Sequence, residues 1–98
     1  MESIGLRLLL TRQVFGLAQE VFAKKAGLAK NTYNQFERGK KRPSIENAIA
    51  LCDEYDLTLD WIYRGDGSSL RYDLWDAIKA EKQRFIPKAS NAVSGSRK

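Results

Sequence analysis

The stretch that decides how this chain is read is Ala18-Gln19-Glu20-Val21-Phe22-Ala23-Lys24-Lys25-Ala26-Gly27-Leu28-Ala29-Lys30-Asn31-Thr32-Tyr33-Asn34-Gln35-Phe36-Glu37. Its first part, from about Ala18 to Ala26, groups Val21, Phe22 and Ala23 as apolar residues and stops at Gly27, a helix-ending glycine. Its second part, Lys30 to Glu37, sets Tyr33 and Phe36 three apart, and Gly39 stops it. Two short helices joined by a tight glycine-bearing turn are therefore expected. Ala23 and Gly27 keep the junction narrow, and Leu28 can plug it.

The second helix has a polar outer side made of Lys30, Asn31, Thr32, Asn34 and Gln35. A helix locked to a neighbour by one face and polar on the other suits the major groove of duplex DNA. There Asn and Gln match adenine and Lys matches guanine. The run Arg38-Gly39-Lys40-Lys41-Arg42 follows at once. Cations on a loop at that place meet backbone phosphates, which gives affinity and register rather than choice of sequence.

The surrounding sequence fits an all-helical fold, since no stretch alternates at period two. A first helix is expected from about Ser3 to Gln13, ended by Gly16. Ser44 caps a fourth, with Glu46 in its first turn and Ile45, Ala48, Ile49 and Cys52 as its buried stripe. Thr58 caps a short fifth helix, Leu59 to about Arg64, whose Trp61 and Ile62 are expected in the core. Leu70, Leu74, Trp75 and Ile78 mark a sixth helix ending near Glu81. Residues 82–98 read as a basic tail, without periodicity from Pro87 onward. One domain over residues 1–81 and a tail over 82–98 is the expected organisation.

Charge is segregated along the chain. Residues 1–43 hold nine Lys/Arg and three acids, a net of +6; residues 44–81 hold three Lys/Arg and nine acids, a net of −6. Residues 82–98 add five Lys/Arg and no acid. Such a polarised molecule presents only one side to a polyanion, and its acidic half is expected to face away. No apolar run approaches 18 residues, so no membrane span is expected. A cytoplasmic, nucleoid-associated location follows as an expectation. The chain has no His and one Cys, which removes the commonest general base and any usual zinc set. Neither enzyme activity, metal, cofactor nor small-molecule ligand is expected. Asp53, Glu54, Asp56 and Asp60 lack the spacing of a calcium loop and read as solvated surface.

Three segments in order carry a resemblance: Gly16–Leu28, then Asn31–Gly39 with Arg42-Pro43-Ser44, then Leu57–Asp66. Together they resemble the phage-repressor and Cro-like helix-turn-helix domains, the xenobiotic-response-element family. The resemblance runs from Ile4-Gly5 to about Glu81. It implies a compact five-helix, lambda-repressor-like DNA-binding domain with an appended sixth helix, acting as a bacterial or phage transcriptional regulator. It further implies that Gln19 contacts phosphate and buttresses the recognition helix, that Lys30, Asn31 and Gln35 read bases with Thr32 and Asn34 beside them, and that Glu37 and Arg38 are structural. Two departures stand out. Ala18 and Ala29 occupy cap positions where the family has Ser or Thr, and Leu6, Leu9, Val14 and Phe15 are apolar where it is commonly polar.

The expected partner is double-stranded DNA. A homodimer is expected too, because one recognition helix reads few base pairs and two copies reading half-sites about 34 Å apart supply the rest. The stripe Leu70, Leu74, Trp75, Ile78 either packs back on the first helix or forms that dimer interface. A different class stays open: a protein-interaction or antitoxin-like module, binding a partner through the apolar first and sixth helices, with DNA binding secondary. RNA is disfavoured because the aromatics belong to the core rather than to a stacking surface.

Overall fold

The computed structural model describes residues 3–85. Six helices follow one another: α1 (Ile4–Phe15), α2 (Gln19–Lys25), α3 (Lys30–Glu37), α4 (Ile45–Tyr55), α5 (Asp60–Arg64, a single π-type turn) and α6 (Tyr72–Phe85), with a 3-10 turn at Gly67–Ser69. No strand occurs among the described residues.

α1 is the central rod, in contact with α3, α5 and α6. It is touched from several sides, so Leu8, Leu10 and Thr11 are fully buried and the helix has no single apolar stripe. α6 packs along α1; of the unusual apolar residues of α1, Leu6 and Val14 pack at the edge of the core, whereas Phe15 stays 39% exposed. Ser3 caps α1, its hydroxyl accepting from the Leu6 N–H at 3.1 Å. Gly5 lets α1 lie against the end of α3. A Cβ there would sit 2.6 Å from the Phe36 carbonyl oxygen and 2.5 Å from that of Glu37.

The core is joined by hydrogen bonds between buried polar groups and backbone, as burial requires. Trp61 Nε1 donates to Thr11 Oγ1 at 3.0 Å, and that hydroxyl donates to the Arg7 carbonyl at 2.8 Å. Arg7 is itself 7% exposed, its Nε donating to the Ile62 carbonyl and its Nη2 to that of Tyr63. A cation placed there meets the carbonyl-rich end of α5, where a helix concentrates negative potential.

Ile45 and Ile49 correct the stripe expected on α4. They are 48% and 44% exposed, whereas Ala48, Leu51 and Tyr55 are buried. Tyr55 sets this rotation. Its ring stacks on Phe22 at 4.0 Å and 8°, and its hydroxyl donates to the Phe22 carbonyl at 2.7 Å.

The second apolar stripe is that of Leu70, Leu74, Trp75 and Ile78. Leu70 and Leu74 are 7% exposed and Ile78 is fully buried within the one chain, so these three pack in cis, the first of the two expected arrangements. Trp75 is half-buried, edge-on to Trp61 at 5.4 Å and covered by the Lys79 ammonium at 5.2 Å. Gly67 makes that seat possible, because any Cβ would run into the Trp75 ring. α6 also continues four residues past Glu81. The tail expected from Pro87 lies outside the described residues. Among those residues no helix is long and apolar enough to cross a membrane.

Candidate nucleic-acid interface

α2 and α3 start without side-chain caps, Ala18 and Ala29 making no such hydrogen bond. A missing cap costs a helix about 1 kcal/mol, so both depend on packing. Phe22 and Ala23 of α2 and Tyr33 and Phe36 of α3 are buried together, and the Phe22 and Tyr33 rings lie 5.3 Å apart. The Leu28 N–H, donating to the Ala23 carbonyl at 2.9 Å, closes the turn between the helices.

Beneath the junction lies a dense polar cluster. The Glu37 side chain is 6% exposed and its carboxylate is surrounded by donors. Arg12 approaches as a two-pronged fork, Nε to Oε2 at 2.7 Å and Nη2 to Oε1 at 3.1 Å. Tyr33 donates its hydroxyl to Oε2, and Gln19 its Nε2 to Oε1 at 2.7 Å. Asn34 in turn donates Nδ2 to Gln19 Oε1 at 2.9 Å. Arg12 also donates to the Leu17 carbonyl at 2.8 Å. One carboxylate at the end of α3 thus joins α1, the start of α2 and the middle of α3.

The electrostatics agree with that geometry. Burial opposes ionisation of Glu37, but the hydrogen bonds from Arg12, Tyr33 and Gln19 outweigh it and hold the carboxyl below its ordinary value. Hydrogen bonding to Glu37 holds the Arg12 guanidinium above its own. Burial, and then the bond to Glu37, push the Tyr33 phenol up. All three groups therefore keep their expected charge states at neutral pH.

On the opposite side α3 is open. Lys30 and Asn31 are exposed, while Thr32, Asn34 and Gln35 are half-buried. Arg38, Lys40, Lys41 and Arg42 are exposed. Their loop is pinned to the end of α3, the N–H groups of Lys40 and Lys41 donating to the Gln35 carbonyl at 2.9 and 3.3 Å. Arg42 lies over the Tyr63 ring at 5.7 Å, and the Tyr63 hydroxyl donates to the Pro43 carbonyl at 2.9 Å. Base-facing and phosphate-facing candidates therefore share one rim. Asn34 and Gln19 differ from the others, since both are engaged in the polar cluster beneath.

Of the nine cations in residues 1–43, Arg7 and Arg12 point inward, and the remaining seven are exposed. Charge counting alone does not separate the two sets, nor does it mark Arg12 as the partner of Glu37. No local spacing links residues 25 apart in sequence. Elsewhere, burial and then Asp53 push the Cys52 thiol up to about 11, which leaves it protonated and unreactive at neutral pH. No group of His, Cys, Asp and Glu suited to a metal occurs among the described residues.

A helix-turn-helix family model matches residues 11–62, from the buried Thr11 of α1 to Ile62 of α5. An uncharacterized HTH-type transcriptional regulator of Bacillus subtilis (strain 168), YobD, is 34% identical over 56 residues, 57% of this chain and 50% of that protein. The chain thus spans about half the length of that curated relative. No solved structure matches it. The matched residues make up more than half of the chain and contain all of α2, the turn and α3, so the chain belongs to the helix-turn-helix family.

Proposed function

We propose that this protein is a sequence-specific, double-stranded DNA-binding transcriptional regulator that reads the major groove with α3. The observation that carries this reading is the rim itself. Lys30, Asn31, Thr32, Asn34 and Gln35 line one side of a short helix whose other side is locked into the core, and Arg38, Lys40, Lys41 and Arg42 follow on a loop pinned to its end. Hydrogen bonds to base edges need the first group, and neutralisation of phosphates needs the second. Gln19 keeps an amide N–H for a phosphate at the start of α2. The name of the Bacillus subtilis relative, a transcriptional regulator, supports the same reading.

The mode of regulation we favour is repression, which needs nothing beyond occupying DNA that other proteins must use. A homodimer is the form we expect on DNA, because a second α3 is the simplest source of further base pairs. No catalytic role is assigned to this domain, and cytoplasmic residence on the nucleoid is the setting in which it would act.

The test is selection from a library of random-sequence duplexes, followed by titration of the selected duplex at several salt concentrations. Sequence-specific binding is expected. Its log affinity should fall against log salt with a slope of about −3.6 per subunit if Arg38, Lys40, Lys41 and Arg42 each neutralise one phosphate. Failure to enrich any duplex, or a flat salt response, overturns the proposal.

A further inference from the structure

Resting on the reading of α3 as the base-reading helix, we infer that Glu37 dictates which base Asn34 accepts, through the orientation of two side-chain amides. A carboxylate only accepts hydrogen bonds, whereas an amide donates from nitrogen and accepts at oxygen. Glu37 Oε1 lies 2.7 Å from the Gln19 amide, so Gln19 must turn its nitrogen toward it. That turn leaves Gln19 Oε1 facing Asn34 at 2.9 Å, and Asn34 must answer with its own nitrogen. The Asn34 oxygen is then left for the groove as a fixed acceptor, with the second N–H of the same amide beside it. A flip of either amide would bring two oxygens together at hydrogen-bond distance.

Arg12 and Tyr33 complete the arrangement from below. They fill the remaining acceptor positions of Glu37 and hold it in place, with Arg12 balancing its charge. Polarity set at a carboxylate that is 6% exposed is thereby carried across two residues to the surface of α3. Glu37 is a positioning residue in this scheme, and Asn34 is the reader.

The consequence for recognition is definite. An outward acceptor pairs with a base that offers a donor in the major groove, adenine N6 or cytosine N4. Guanine O6 and thymine O4 are acceptors and are disfavoured at the same place. Asn34 free of the relay could turn either way and would lose much of this choice.

The experiment compares the full chain with Glu37→Gln and Asn34→Ala, folding being checked by circular dichroism. Each is bound to the selected duplex and to duplexes changed one base at a time. In the wild type, replacing adenine or cytosine by guanine or thymine at one position is expected to weaken binding about tenfold, within the range of a single base contact. Asn34→Ala should abolish that difference. Glu37→Gln, whose amide can donate or accept, should cut it to below about threefold while the costs at other positions stay. Side-chain amide signals in the nitrogen–proton spectrum of the free protein give a reading without DNA. The NH2 groups of Gln19 and Asn34 should exchange slowly with water in the wild type and quickly in Glu37→Gln.

Slow exchange that persists in Glu37→Gln, or full discrimination retained there, overturns the relay. If Glu37→Gln does not fold, Gln19→Met takes its place and should relax the same position. Should no duplex be selected at all, the reading of α3 as a DNA helix fails, while the amide signals still decide whether Glu37 orders Gln19 and Asn34.

Discussion

The two sides of α3 use the same kinds of side chain for opposite purposes. Underneath, a guanidinium, a carboxylate, a phenol and two amides satisfy one another, with Arg12 13% exposed and Glu37 6%. Outside, Lys30, Asn31 and the Arg38–Arg42 loop face solvent. A buried cation with a fixed partner confers geometry, because losing that partner leaves an uncompensated charge. An exposed cation confers attraction for a polyanion, weakened by salt. Position, and not residue type, separates the architectural arginines Arg7 and Arg12 from the exposed Lys40 and Arg42.

That contrast can be broken most severely from below. Arg12→Met should destabilise the domain by about 3–5 kcal/mol in urea unfolding, because Glu37 is left charged and buried. The double variant Arg12→Met, Glu37→Gln should recover part of the loss. A destabilisation below about 1 kcal/mol would mean that solvent reaches the pair easily.

A portion of the same energy should appear as pH dependence. The folded Glu37 carboxyl titrates below its ordinary value, the donors of Arg12, Tyr33 and Gln19 outweighing the burial that opposes them. Its contribution to stability is therefore full above the unfolded carboxylate value of about 4.3 and is lost as pH falls through the lower folded value. Denaturant midpoints from pH 6 down to pH 2.5 should decline less steeply in Glu37→Gln than in the wild type. Parallel curves would place the acid sensitivity elsewhere.

Changes on the outer side should leave folding intact and alter binding. Gln35→Ala is expected to relax preference at one operator position by about 1–3 kcal/mol, measured on singly substituted duplexes. The smallest effect is expected from Lys40→Ala, which should weaken all sequences alike and lower the salt slope by about 1. If Lys40→Ala altered sequence preference instead, the loop would be reading bases.

Several parts of this fold are legible in the chain because their causes are local. Ser44 accepts from an N–H group that its helix leaves open, and α3 runs over Lys30–Glu37 as its apolar pair and terminal glycine suggest. The polar outer side of α3 is legible for the same reason. α4 shows where local pattern stops being sufficient. Ile45, Ala48, Ile49 and Cys52 form a good helical stripe, yet Ala48, Leu51 and Tyr55 form another. The burial of Leu51 and the stacking of Tyr55 on Phe22 select the second. The stripe at and before α6 is ambiguous in a similar way; with α6 packed on α1 and Trp75 edge-on to Trp61, Leu70, Leu74 and Ile78 are buried.

The sequence by itself determined the run of helices, the helix-turn-helix between Ala18 and Glu37, and the split between a basic and an acidic half. These follow from caps, glycines, spacing and charge, which act over a few residues. Tertiary structure alone decided that Arg7 and Arg12 leave the basic surface, that α6 covers α1, and that Gln19 and Asn34 are oriented from Glu37. Each depends on contact between residues at least 15 apart in sequence, and such contacts exist only once the chain has closed on itself.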